Sequence, residues 1–153
     1  MTNNEGGTSQ TAEPVKLSIG KTQNCIVIPI QAELTMLQAK EVQRMILESL
    51  KGLAFKGVVI DLSGVDVIDT ALWETFKKTA HMIKILGTSS FITGLQPGVV
   101  ASLIDLDLNF DDVLFASSVD IALQQLNNVL EIPPTKNQNS EISAAHDSLN
   151  ALI

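Results

Sequence analysis

The sequence has one cysteine, two histidines and ten lysine or arginine residues, and each scarcity excludes a class of protein. With a single cysteine, no disulfide framework can form within one chain. Ten basic residues against seventeen acidic ones give a formal net charge of −7. This balance argues against nucleic acid or an anionic membrane as a general partner, because both require a basic face. His81 and His146 lie on different predicted elements without a second ligand nearby, so no metal site is predicted.

Long apolar runs and enzyme motifs are also missing. No run approaches the ~18–20 apolar residues that a membrane span needs. Residues 1–14 are polar and lack the apolar region of a signal peptide, so we expect a flexible tail there and a cytoplasmic protein. The sequence contains neither a glycine-rich phosphate loop ending in Lys-Ser or Lys-Thr nor a Gly-x-Gly-x-x-Gly motif. We therefore predict no cofactor and no enzymatic activity.

The residues that are present predict one folded domain. Apolar residues make up 45% of 153 residues, which is enough for a sizeable core. Cys25 lies inside the apolar run at residues 25–28, which favours a buried and inert thiol. Basic residues are absent between Lys84 and Lys136, where five aspartates crowd, and a solvated acidic face is favoured there over a binding site.

Short apolar runs and helical stripes alternate along residues 15–131. Strands are predicted at residues 15–19, 25–30, 58–62, 90–93 and 113–115, with a turn at residues 20–24 and a bulge or sheet edge at Pro29. Helices are predicted from Thr35 to about residue 50 with Gly52 as the C-cap, at residues 70–86, at 99–106 and from Ser117 or Ser118 to about residue 130. Strands joined through helices pair in parallel. The predicted fold is therefore α/β, with a mixed sheet of four to five strands and about four helices.

Residues 57–76 are the most informative stretch. A buried strand passes through a loop into a helix that starts at Asp69 and Thr70. Backbone N–H groups are unpaired at a helix N-terminus, so an added phosphate would be stabilised there. Asp66 and Asp69 form a close carboxylate pair, for which loop and cap chemistry is favoured over acid–base work. Trp73 is read most simply as a core residue, with an exposed aromatic at a recognition site as the alternative.

A second hydroxyl follows the next predicted strand. Gln96 and Pro97 form a turn, and Ser102 lies on the helix after it. Because residues after parallel strands meet at one edge of a sheet, Thr70 and Ser102 are expected on a common edge.

Beyond Pro134 the sequence changes character. Residues 132–153 are predicted to form a linker, followed by either a short amphipathic helix or a frayed tail. The helix rests on apolar residues at helical spacing, which are Ile142, Ala145, Leu149 and Leu152.

Two groups of residues resemble a known family over about residues 15–130. Val-Val-Ile-Asp-Leu at residues 58–62, followed by Asp69-Thr70, resembles the core motif of STAS domains, the fold of bacterial anti-sigma-factor antagonists. Gly-Leu-Gln-Pro at residues 94–97, followed by Ser102, resembles the stressosome branch, which has a Gly-Ile-Gln-Pro or Gly-Ile-Arg-Pro turn and a second phosphorylated residue. The resemblance implies Thr70 as the main phosphorylation site and Ser102 as a candidate for the second, accessory one. It also implies a partner-binding face that includes Asp66, Asp69, Thr70, Trp73, Gln96 and Pro97.

The resemblance implies a non-enzymatic stressosome scaffold of the RsbS type that controls a general stress response. Such a protein assembles with RsbR-like STAS paralogues and holds an RsbT-like serine/threonine kinase until phosphorylation at Thr70 releases it. A phosphatase would restore the unphosphorylated form. Thr70 stands where RsbS-type proteins usually carry Ser, which leaves an RsbR-like STAS module open. A stand-alone anti-sigma-factor antagonist that binds an anti-sigma kinase is the other alternative within this class.

Overall fold

The computed structural model describes residues 18–31, 33–52 and 54–128. Its elements are β1 (Gly20–Thr22), β2 (Cys25–Pro29), α1 (Met36–Ser49), β3 (Gly57–Asp61), α2 (Thr70–Ile85), β4 (Ser89–Thr93), α3 (Pro97–Asp105), β5 (Leu114–Ala116) and α4 (Val119–Asn128). The predicted tail at residues 1–14 and the predicted linker and helix at residues 132–153 lie outside the described residues.

The strands form one five-stranded sheet in the order β1-β2-β3-β4-β5. β1 pairs antiparallel with β2, and the other neighbouring pairs are parallel. Parallel pairing aligns the last residues of β2, β3, β4 and β5 along one side of the sheet, which we call the carboxyl edge. The opposite side, where these strands begin, is the amino edge. The predicted α/β class, with a mixed sheet and a parallel centre, is confirmed.

The first hairpin differs from the sequence prediction. Residues 20–22, predicted as part of a turn, form β1, while residues 18 and 19 of the predicted strand are not in a strand. The turn is only Gln23 and Asn24, whose φ angles are 49° and 61°. Two consecutive residues with positive φ make the tight turn that joins twisted antiparallel strands. β1 therefore ends at Thr22, directly before this turn.

Pro29 lies beyond the part of β2 that pairs with β1, because that pairing reaches only Val27. On its other side, Pro29 pairs with Asp61 in a continuous register with β3. Of the two predicted alternatives, a bulge or a sheet edge, the edge is right for the β1 side of Pro29, and no bulge interrupts the pairing with β3.

Two apolar layers cover the sheet. The larger includes side chains of α1, α2 and α3, with Val42, Trp73 and Leu103 among its buried members. The smaller lies under α4 and contains Cys25. Gly57 allows α4 to pack closely, because a Cβ at this position would collide with the Leu126 side chain. Burial raises the pKa of the Cys25 thiol, although Lys56 and a backbone hydrogen bond at Gly57 oppose this effect. The prediction of a buried cysteine is confirmed.

Several predicted helix ends are confirmed. Thr35 caps α1, with its backbone N–H donating to Gln38 Oε1 at 2.9 Å and its hydroxyl accepting from the Gln38 N–H at 3.3 Å. The C-cap of α1 is Leu50 and not the predicted Gly52, which has a φ of 72° two residues later. α3 begins at Pro97, and the hydroxyl of Ser118 accepts from the Ile121 N–H at 3.4 Å where α4 begins.

Candidate phosphorylation site and partner-binding face

Asp61 organises the carboxyl edge at the end of the central strand. Its carboxylate accepts hydrogen bonds from the Ser63 N–H at 3.2 Å, the Ser63 hydroxyl at 3.0 Å and the Thr93 hydroxyl at 3.3 Å. The Thr93 bond joins β3 to β4, and the Ser63 bonds fix the first turn after β3. This turn is the starting point of the loop that leads to Thr70.

Two glycines bring the neighbouring backbones close to this turn. Gly94 has a φ of 73°, and a Cβ there would collide with the Asp61 carboxylate and lie 2.7 Å from Ser63 N. A Cβ on Gly64 would lie 2.8 Å from the Cα of Gln31. Both sites accept only glycine without movement of the surrounding backbone, so the loop after β3 has a defined path.

Two buried side chains anchor the rest of the loop. Val65 and Ile68 belong to the larger apolar layer, while Asp66 and Val67 between them are exposed. Val67 presents an apolar side chain that is 62% exposed. The alternation of buried and exposed residues explains why this loop holds its shape without regular secondary structure and displays Asp66 to solvent.

Asp69 and Thr70 form the start of α2, as the sequence predicts. Asp69 is the N-cap, and its carboxylate accepts from the Leu72 N–H at 2.7 Å. Thr70 is the first helical residue and is exposed. Among the described residues, no hydrogen bond engages the Thr70 hydroxyl. The structure therefore presents a hydroxyl that an enzyme can reach without opening the core, at the positive end of a helix.

Gln96 connects the second predicted hydroxyl to the same region. Its side-chain amide donates to the Ser63 carbonyl at 3.2 Å, which ties the start of α3 to the loop after β3. Gln96 is the N-cap of α3 and Pro97 its first residue, and both are exposed. Ser102 is exposed on the following turn, and its hydroxyl donates to the Gly98 carbonyl at 3.0 Å. Both hydroxyls thus lie on helices that start at the carboxyl edge.

Trp73 is buried, so its interpretation as a core residue is confirmed. The alternative, an exposed aromatic ring that contacts a partner, is wrong, because no part of the ring reaches the surface. Its indole N–H donates to the Asn109 carbonyl at 3.3 Å. The ring lies 5.2 Å from the Phe110 ring and 6.1 Å from the Phe115 ring, centre to centre. Trp73 therefore fastens α2 to the segment between α3 and β5 and supports the position of Thr70 from beneath.

An apolar part of this face was not predicted from the sequence. Leu37 in the first turn of α1 is 66% exposed, and Met36 beside it accepts from the Thr75 hydroxyl through Sδ at 3.4 Å. Since Thr75 lies on the second turn of α2, the start of α1 is adjacent to the start of α2. The sequence prediction places Leu37 in one apolar stripe of α1 with Val42 and Ile46. Those two are buried, whereas Leu37 lies on the outer side of the helix.

The remaining sequence predictions concern His81, metal binding and membrane-spanning helices. His81 is exposed on α2, as expected for a helix surface residue. In the described ranges, no group of three or more His, Cys, Asp or Glu side chains is placed to hold a metal ion. Among residues 18–31, 33–52 and 54–128, none of the helices combines the length and the hydrophobicity of a membrane span.

The comparisons with known proteins agree on a family. Residues 16–122 match the family model of the STAS domain. Two Bacillus subtilis relatives are the RsbT co-antagonist proteins RsbRD, 27% identical over 97 residues, and RsbRA, 20% identical over 102 residues. The matched parts cover 63% and 67% of this chain but only 35% and 37% of those longer proteins.

Two solved structures resemble the fold. A serine-to-glutamate variant of Moorella thermoacetica RsbS is 24% identical with a TM-score of 0.68, covering 77% of this chain and 100% of that one. A chain from a structure on the molecular architecture of the stressosome, described as a signal integration and transduction hub, is 25% identical with a TM-score of 0.62. That match covers 75% of this chain and 100% of the other.

Proposed function

Because the chain belongs to the STAS domain family, we propose that it is a non-enzymatic scaffold whose partner-binding face is switched by phosphorylation of Thr70. The observation that carries the proposal is the exposed Thr70 hydroxyl at the start of α2, held by a loop with a defined path. The partner-binding face comprises Asp66, Asp69, Thr70, Gln96 and Pro97, with Val67 and Leu37 as apolar contacts.

The partners follow from the relatives. RsbRD and RsbRA are named co-antagonists of RsbT, and a related chain occurs in a stressosome structure. We propose that this chain assembles with RsbR-like paralogues and that its unphosphorylated face holds an RsbT-like serine/threonine kinase. A phosphatase resets the switch. The controlled output is a general stress response.

Electrostatics explains how a phosphate would act as the switch. A phosphate adds about −1.5 to −2 charges. The start of α2 tolerates that charge, because the N-terminus of a helix attracts anions. Asp66 and Asp69 already make the surrounding surface negative, so the phosphate would repel an acidic partner surface. A loss of ~3 kcal/mol at the interface weakens binding about a hundredfold.

Binding of purified RsbT-like kinase to Thr70 variants tests this proposal. Thr70→Ala is expected to fold normally and hold the kinase permanently. Thr70→Glu or the phosphorylated protein is expected to bind about a hundredfold more weakly. Ser89→Glu is a matched control, because Ser89 is exposed at the amino edge, on the opposite side of the sheet. Equal kinase affinity for Thr70→Ala and the phosphorylated protein would end the switch hypothesis.

The type of assembly is a separate question. The RsbR relatives favour an RsbR-like module, whereas the fold is also that of RsbS. The alternative is a stand-alone anti-sigma-factor antagonist. Such a protein would bind an anti-sigma kinase as a monomer or dimer. Light scattering of the complex isolated from its own cells separates these proposals. A large hetero-oligomer supports the scaffold, and a small complex with an anti-sigma kinase supports the antagonist.

A further inference from the structure

Two exposed depressions with large apolar side chains in their walls lie outside the partner-binding face. One, of about 510 Å³, runs between α3 and β5 and is lined by Val100, Ile104 and Phe115. The other, which we call the basal trough, lies at the amino edge where α1 and α2 end. It consists of two adjoining depressions of about 450 and 330 Å³ that share Leu47, Lys51 and Leu86.

The basal trough exposes several large apolar side chains at once. Ile85 is 71% exposed and Leu86 is 58% exposed, with Met82 beside them and Phe55 at the far end. Leu86 is held outward by a tight helix end, because the N–H groups of Gly87 and Thr88 donate to the carbonyls of Lys84 and Ile83. Such a contiguous patch is a feature of interaction sites.

The surroundings of the basal trough are basic. Lys51 forms part of its wall, Lys56 follows Phe55, and the Lys21 ammonium lies 5.6 Å from the centre of the Phe55 ring. In the described part of the chain, no carboxylate pairs with any of these three lysines. The nearby Glu48 is bound to Arg44 at 2.6 Å. An occupant should therefore combine apolar and acidic side chains.

The chain itself contains such a segment, beyond the described residues. Residues 129–153 carry Glu131, Glu141 and Asp147 against a single lysine, Lys136. Their apolar residues at helical spacing are Ile142, Ala145, Leu149 and Leu152. The depression beside β5 suits this segment less well, because the lining residues Ile104 and Phe110 are each followed by an aspartate, Asp105 and Asp111.

α4 ends at the amino edge of the sheet, which is also where the basal trough lies. The Asn127 side chain donates to Gln23 Oε1 at 2.5 Å. The next residue in that turn, Asn24, donates through its side chain to the Ala54 carbonyl at 2.8 Å, and Phe55 of the basal trough follows Ala54. Residues 129–141 can extend up to ~40 Å, so their length does not confine the segment that follows to the surroundings of α4.

We propose that the segment around residues 142–152 docks in the basal trough of its own chain, with its apolar side chains on Leu86 and its carboxylates near Lys51. Tethering supplies a millimolar effective concentration, so even a weak contact is populated. Docking does not depend on phosphorylation at Thr70, since the basal trough and Thr70 lie at opposite edges of the sheet.

Hydrogen exchange of the full-length protein, followed by mass spectrometry, tests the docking. In the wild type, amides of residues 142–152 are expected to exchange at least tenfold more slowly than in Leu86→Gln or Leu149→Gln. Leu37→Gln is the matched control, because Leu37 is at least as exposed as Leu86 but lies at the carboxyl edge. Unchanged protection of the β3 amides verifies that each variant is folded.

A charge exchange makes the test specific. Lys51→Glu is expected to reduce the protection of residues 142–152, and adding Asp147→Lys is expected to restore part of it at low salt. Unprotected amides in the wild type would overturn the proposal, as would protection that Leu86→Gln leaves intact. Protection that rises with protein concentration would also overturn it, because a second copy would then be the occupant.

Discussion

Gly94 provides the sharpest test of how the partner-binding face is built. It follows β4 with a φ of 73°, and its position leaves no space for a side chain. An alanine Cβ would lie 2.7 Å from Ser63 N and 2.8 Å from Ser63 Cβ, and would also collide with the Asp61 carboxylate. Gly94→Ala is therefore expected to lower the free energy of unfolding for two independent reasons.

The magnitude can be worked out from these two contributions. A left-handed backbone costs an alanine ~1 kcal/mol more than a glycine. The crowding forces Ser63 or Asp61 to move, and losing one hydrogen bond to a charged acceptor costs ~1.5–3 kcal/mol. The expected total is ~2.5–4 kcal/mol. For a domain of this size, that corresponds to a fall in melting temperature of more than ~10 °C.

Two other glycines separate the contributions. Gly87 has a φ of 82° with no atom within 4 Å of its would-be Cβ, so Gly87→Ala should cost only the backbone term of ~1 kcal/mol. Gly98 lies in α3 with the same open space and no positive φ, so Gly98→Ala should be neutral or should stabilise by up to ~1 kcal/mol.

Urea and thermal unfolding followed by circular dichroism give the three free energies. If Gly94→Ala is no more destabilising than Gly87→Ala, the crowding around Asp61 is not real and the loop after β3 is not held as described. If Gly94→Ala destabilises by the full amount, kinase binding should weaken as well, because the path of the loop sets the position of Thr70.

Three further predictions concern single side chains. Cys25→Ala should lower the free energy of unfolding by ~1–2 kcal/mol, because it leaves space in the layer under α4, without changing kinase affinity. Loss of binding at unchanged stability would contradict this. Asp107→Gly should raise the free energy of unfolding by ~0.5–1 kcal/mol, because Asp107 follows the C-cap of α3 with a φ of 52°; a lower melting temperature would contradict it. Ser102→Ala should tune kinase release rather than abolish it; a loss as complete as that of Thr70→Ala would reverse the ranking.

The elements that depend on local sequence could be predicted. The apolar run before Asp61 predicts β3, and Thr35 and Asp69 predict the starts of α1 and α2. Both kinds of prediction succeed because strand burial and helix capping depend on residues that are adjacent in the sequence. The position of Thr70 follows from the same reasoning. The predicted turn at residues 20–24 is too long, because the composition of this segment does not indicate the positive φ angles of Gln23 and Asn24.

The parts that depend on distant residues could not be predicted. Asp61 meets Thr93 only because β3 and β4 pair in register, and Gln96 reaches the Ser63 carbonyl only after that pairing. One local hint existed, since an aspartate two residues before a serine favours the turn that Asp61 and Ser63 form. The basal trough likewise arises from two helices that end side by side.

The burial of Trp73 has a practical consequence. It is the only tryptophan, and the sequence contains no tyrosine, so nearly all intrinsic ultraviolet fluorescence of the protein comes from one ring. That ring packs against both Phe110 and Phe115, which also contact each other, and Trp73 lies on the same helix as Thr70, three positions further on. Its emission wavelength and quenching therefore report, without any label, on whether a change at the start of α2 is transmitted into the interior.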